Sequence, residues 1–92
     1  MATLPLDMGP DEIRAIRKFL GKSQKKLAHA AFFPGDKMTQ QKLSDFENIV
    51  KLNQYSVKLI QMRVTNYFHM FCIDNLKLTI KFISIISKIR NK

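Results

Sequence analysis

Apolar residues recur at helical spacing from Ile13, Ile16 and Leu20, behind the acidic pair Asp11-Glu12, and Gly21 ends this first pattern as a helix stop. Residues 1–10 hold two prolines and a glycine without periodicity and read as a flexible leader. Ser23 suits the N-cap of a short second helix, whose Leu27, Ala28, Ala30 and Ala31 form a narrow face that lets another helix come close. Phe32-Phe33-Pro34-Gly35-Asp36 breaks it. Thr39 is the next N-cap, and Leu43, Phe46 and Val50 follow at i, i+3 and i+7, predicting a third amphipathic helix over residues 39–50. Its other face carries Gln40, Gln41, Ser44, Asp45 and Asn48. After Leu52-Asn53 a fourth run places Val57, Ile60, Val64 and Phe68 on one stripe, with Lys58 and Arg63 elsewhere. The expectation is an all-α fold: a four-helix domain over residues 11–66.

From residue 67 to 92 glycine and proline vanish and Ile and Phe become dense. Leu76, Leu78, Ile80 and Phe82 alternate as in a strand, whereas Leu76, Ile80 and Ile83, or Ile83, Ile86 and Ile89, recur as in a helix. We read this apolar basic tail as helical, packed on the bundle or in contact with a partner. Asp74, Asn75, Lys77, Lys81 and Lys88 interrupt it, each costly at a bilayer centre, so no membrane span is expected.

Ninety-two residues at 46% hydrophobic content suffice for one small core. The single cysteine, Cys72, allows no internal disulfide and suits a reducing compartment. Sixteen Lys and Arg against seven Asp and Glu leave a formal charge of +9, which favours polyanionic partners: nucleic acid or an anionic membrane surface. The start of the chain lacks the basic and apolar regions of a signal peptide.

Candidate chemistry is sparse. His69 and Cys72 at i, i+3 make two potential ligands where zinc needs three or four, and His29 is distant, so neither metal nor cofactor is expected. Asp11-Glu12 reads as helix-start charge, and no phosphate loop or nucleophile motif occurs. Catalysis has no candidate residues, and the chain is not expected to be an enzyme.

Helix, short turn, helix, then a third helix with a polar N-terminal half is how helix-turn-helix domains enter the major groove. A glutamine amide there can pair bidentately with the N6 and N7 edge of adenine. Leu20-Gly21-Lys22-Ser23-Gln24, followed by Thr39-Gln40-Gln41-Lys42-Leu43-Ser44-Asp45-Phe46-Glu47, resembles the POU-specific domain of the lambda-repressor-like helix-turn-helix superfamily. That family reads Leu-Gly-x-Thr/Ser-Gln and then Ser-Gln-x-x-Ile-x-Arg-Phe-Glu. The likeness covers roughly residues 13–62.

The resemblance implies a four-helix DNA-binding bundle acting in transcription regulation, in the nucleus, or in the cytoplasm for a bacterial or phage regulator. It implies that Gln24 contacts phosphate and braces Gln40, that Gln40 reads adenine with Gln41 beside it, and that Arg17 and Glu47 form a buried structural ion pair. Ser44 and Asp45 complete the expected base-reading set, and Lys22, Lys25, Lys26 and Lys42 are the candidate phosphate contacts, with Lys37 nearby. Two departures stand out. Asp45 occupies the position of a guanine-reading arginine, and a carboxylate accepts from cytosine N4 but repels phosphate, so sequence preference is open. Nothing in residues 67–92 resembles the homeodomain that usually follows, which leaves room for an alternative C-terminus. The expected partner is double-stranded DNA. The rival readings are a helical protein-interaction module that self-associates or binds another transcription factor through its tail, competing with full-length relatives, and a basic amphipathic segment on anionic membranes.

Overall fold

The computed structural model describes residues 4–91. The described residues form α1 (Pro10–Phe19), α2 (Gln24–Ala31), a single 3-10 turn at Pro34–Asp36, α3 (Gln40–Glu47), α4 (Gln54–Cys72) and α5 (Leu76–Arg90), with no strand among them. The fold is all-α, and the fifth of its five helices lies within residues 67–92, the tail read as helical.

Local chemistry sets most helix ends. Pro10 occupies the first turn of α1, where its missing N–H costs nothing, and the Glu12 carboxylate accepts from the Gly9 N–H at 2.7 Å. At the other end Gly21 takes φ +70°, so that its N–H reaches the Lys18 carbonyl at 3.0 Å and the Lys22 N–H reaches that of Arg17 at 3.1 Å. That is a Schellman cap. Ser23, Thr39, Asn53 and Asn75 each accept from the N–H three residues on, at 3.1, 3.3, 2.7 and 3.1 Å. Each such cap contributes about 1 kcal/mol.

The core joins Ile13 and Ile16 of α1, Leu27, Ala28 and Ala31 of α2, Leu43 and Phe46 of α3, Ile60, Val64 and Phe68 of α4, and Phe82 and Ile86 of α5. The small face of α2 packs against both α3 and α4. The connection between α2 and α3 is tied down by charge: Arg63 of α4 donates from Nε and Nη2 to both Asp36 oxygens, at 2.8 and 2.9 Å, while its guanidinium lies 4.3 Å above the Phe33 ring centre. Arg63, together with the Phe33 N–H, holds the Asp36 carboxyl below the usual carboxylate range.

Three expectations are corrected. The leader is packed where the structure describes it: Met8 is fully buried and Leu4 nearly so, and α4 grips the segment through Gln61 Nε2 to the Met8 carbonyl at 3.0 Å and Thr65 Oγ1 to that of Pro5 at 3.4 Å. Residues 1–3 lie outside the described residues. Secondly, α3 stops at Glu47 and not at residue 50. Its end is another Schellman turn, Ile49 N–H to Phe46 carbonyl at 3.3 Å and Val50 N–H to Asp45 carbonyl at 2.8 Å, which turns Val50 outward to 53% exposure. Thirdly, the expected boundary at 66/67 falls inside α4, which runs on to Cys72 because Val64, Phe68 and Cys72 share one buried stripe.

Residues 76–90 are one helix, and the alternation of Leu76, Leu78, Ile80 and Phe82 has no strand behind it. A turn at Ile73-Asp74 folds α5 back onto α4 and α1. Phe82 meets the Phe19 ring edge-on at 6.1 Å and Phe68 at 6.0 Å. Arg90 closes the far end by binding the Glu12 carboxylate and, at 3.0 Å, Asp7 Oδ1. Both carboxylates push the Arg90 pKa up, Glu12 the more strongly.

Two outcomes follow. Phe82→Ala should lower unfolding stability by about 3–5 kcal/mol in urea denaturation, because it empties a shared aromatic site; a change below about 1 kcal/mol would show that α5 is peripheral. Ile49 carries φ 59°, a left-handed conformation that a β-branched residue adopts only with strain, and its side chain is 79% exposed. Ile49→Gly should therefore stabilise the fold by roughly 1 kcal/mol, read as a higher melting temperature.

Candidate nucleic-acid interface

Glu47, at the last position of α3, is 1% exposed and gathers donors from two other helices. Arg17 of α1 clasps it with Nε to Oε2 and Nη2 to Oε1, both at 2.8 Å, and spends Nη1 on the Lys22 carbonyl at 2.9 Å. Arg14, one turn earlier, donates to the Glu47 carbonyl and stands 3.6 Å from its carboxylate. Gln24, the first residue of α2, adds its amide at 3.3 Å. One carboxylate thus fixes α1, α2 and α3 to one another, and Arg17 and Glu47 stand in the pairing that the resemblance implies.

The same contact changes the expectation for Gln24. Its amide goes to Glu47, and among the described residues it makes no hydrogen bond to Gln40. The nearest buried acceptor takes a donor that the resemblance assigned to bracing. Gln24 remains half-exposed at the start of α2, beside exposed Lys25 and Lys26 and half-buried Lys22.

With Leu43, Phe46 and Glu47 turned inward, the opposite side of α3 is the open one, with Gln40 and Gln41 exposed and Ser44 and Asp45 half-buried. Gln41 donates to Asp45 Oδ1 at 2.9 Å, and Asn48 donates to Ser44 Oγ at 3.2 Å and accepts from Arg14 at 3.4 Å. These i, i+4 pairs make a ladder of amides, a hydroxyl and a carboxylate along the outer face. Gln40 lies apart, on the rim of a cleft of about 570 Å³ between α2 and the start of α3, lined by Lys25, His29, Phe32, Phe33 and Met38 among others. The candidate base-reading residues therefore divide into an outer row of Gln41, Ser44 and Asp45 and a cleft-edge residue, Gln40. Lys42 is half-buried on the flank of α3.

The ion pairs among the described residues all use arginine: Arg14 and Arg17 with Glu47, Arg63 with Asp36, and Arg90 with Glu12 and Asp7. No lysine of the described residues is paired. The positive excess thus sits on lysines outside the ion pairs, among them exposed Lys25 and Lys26 and half-buried Lys22 at the front of α2. Asn48 was seen in the sequence as part of this face, but Arg14, which orients it, was not; only the fold brings α1 to the end of α3.

His69 and Cys72 share the last turn of α4, with Cys72 buried, and among the described residues no group of three side chains could hold a metal ion. No helix is long and apolar enough to cross a membrane among the described residues.

Replacing Glu47 by Gln leaves the Arg17 guanidinium buried without its counter-charge, and should cost about 3 kcal/mol or more of unfolding stability in urea. The joint replacement Arg17→Met with Glu47→Leu should cost clearly less than the sum of the single changes; strict additivity in that cycle would dismiss the pair as an energetic unit.

No family model, no curated protein and no solved structure matches this chain.

Proposed function

We propose that residues 10–72 act as a helix-turn-helix DNA-binding module of the POU-specific, lambda-repressor-like kind, with α3 in the major groove and the lysines at the front of α2 on the phosphate backbone. The observation that carries this reading is the uncovered outer face of α3. Gln40, Gln41 and Asn48 are exposed there and Ser44 and Asp45 half-buried, while α5 closes the bundle against α1 and α4. A polar helix face held out by a buried ridge is the form in which side chains reach base edges.

The roles follow from chemistry. Gln41 and Gln40 offer paired donors and acceptors for adenine, and Asp45 accepts from cytosine N4 once its bond to Gln41 is exchanged. Ser44 serves either kind of base. Lys22, Lys25, Lys26 and Lys42 supply charge without sequence information, and the Gln24 amide lies where α2 begins, next to them. Asp45 repels phosphate, so the face selects among sequences partly by penalty. In this reading the chain regulates transcription as a weak single module whose affinity depends on salt.

Selection from a random duplex pool by the full chain should enrich a motif, and fluorescence anisotropy on that motif should show affinity falling linearly with salt on logarithmic axes. Lys25→Ala with Lys26→Ala should weaken all duplexes alike and reduce the salt slope by about 1 for each phosphate set free. Gln41→Ala or Gln40→Ala should instead lower discrimination between the motif and a scrambled duplex by about 1–3 kcal/mol. A pool that yields no motif, or glutamine variants with unchanged discrimination, would remove the base-reading role.

A further inference from the structure

The outer face of α5 is unlike the rest of the surface. Leu76, Ile80 and Ile83 are exposed at 73%, 58% and 38%, and Ile73, in the turn before the helix, is exposed as well. The spacing 76, 80, 83 confines them to an arc of about 60° on a helix of 100° per residue. Lys77, Lys81 and Lys88 form a second exposed row along one side of this seam. The other side is closed by Thr79, Phe82 and Ile86, which are buried in the domain. Nothing in Leu76–Arg90 is acidic, and none of its described lysines is in an ion pair; the Lys81 ammonium lies 5.7 Å from the Phe19 ring centre and the residue stays exposed.

We propose that this face docks an acidic amphipathic helix of a partner protein, with apolar residues at i, i+3 or i+4 and i+7 lying on Leu76, Ile80 and Ile83 and carboxylates along the flank that meets Lys77, Lys81 and Lys88. Charge decides the occupant. A second copy joined by a two-fold axis perpendicular to the helix sets α5 antiparallel to itself, so each lysine row faces the other lysine row. A parallel copy would need the flank already buried in its own domain. A helix lying in a lipid surface needs a broad apolar face, wider than the strict seam seen here. An acidic helix fills the seam and satisfies the lysines together.

The site is independent of the α3 face, so its test reads neither DNA nor stability. The full chain is titrated against two fluorescent peptides of about 15 residues, a length at which an isolated helix begins to hold. Both carry Leu at the seam positions; one has Glu on the flanks and the other Lys. Saturable binding of the Glu peptide is expected, with the Lys peptide at least about tenfold weaker. Ile80→Glu, at an exposed position, should keep the far-UV circular dichroism and weaken the Glu peptide about tenfold or more. Lys77→Glu with Lys81→Glu should reverse the preference toward the Lys peptide. Equal binding of both peptides, binding of neither, or indifference to Ile80→Glu overturns the proposal. So does self-association that disappears with Ile80→Glu in sedimentation. Ile80-dependent flotation with phosphatidylserine vesicles, in the absence of peptide binding, assigns the face to lipid and overturns it equally.

Discussion

Everything on the front of the molecule depends on one buried carboxylate. Glu47 closes α3, and the groups that neutralise it come from α1 through Arg17 and Arg14 and from α2 through Gln24. An ionised carboxylate in that position is tolerated only because its oxygens are fully met, and no buried side-chain nitrogen or oxygen among the described residues lacks a partner. The arrangement is strict in return. Shifting any one of the three helices by a turn would strand a charge, which fixes their register more tightly than apolar packing does alone.

The positive side chains divide accordingly. All four arginines, Arg14, Arg17, Arg63 and Arg90, are spent within the fold, where the planar fork suits bidentate contact with a carboxylate. Asp7, Glu12, Asp36 and Glu47 are the acids they use, more than half of the seven in the chain. Among the described residues no lysine is in an ion pair, and a strongly hydrated, flexible ammonium is the better carrier of surface charge. The net charge of +9 is therefore a property of the surface, while the interior is balanced.

How far the sequence disclosed this follows the range of each interaction. Ser23, Thr39 and Gly21 were legible because caps act over three or four residues, and the core stripes of α1 and α4 were legible through their period. The leader was misread since Leu4 and Met8 lie outside any helix, where no period marks them, and the side chains that bind this segment, Thr65 at the Pro5 carbonyl and Gln61 at the Met8 carbonyl, are on α4. The bond from Arg63 to Asp36 and that from Arg90 to Glu12 join residues far apart, and no local pattern announces them. Val50 fits the i+7 position of the third stripe, yet the turn at Ile49 lacks the glycine that would have signalled an early stop. At residue 66 the change of composition was taken as a domain edge, although Phe68 already belonged to the fourth stripe. Of the candidate interface, the outer row of α3 was legible from amphipathicity; the engagement of Gln24 by Glu47 was not, because it depends on where α1 delivers Arg17.

The shortness of α3 links its fold to its exposed face. Eight residues cannot hold a helix in water by propensity, since nucleation costs more than so few hydrogen bonds return. The helix exists because Leu43 and Phe46 are buried and because Glu47 is clamped at its end, and that clamp also forces the chain to turn at once, through a left-handed Ile49. Strain in the turn is accepted where the surroundings over-determine it. The row of Gln41, Ser44, Asp45 and Asn48 consequently has no freedom to rotate about the helix axis: each side chain stands opposite a buried partner one or two positions away. A surface whose orientation is dictated from beneath loses little freedom on any contact it makes, which is the property that the proposed base reading by a few amides would draw on.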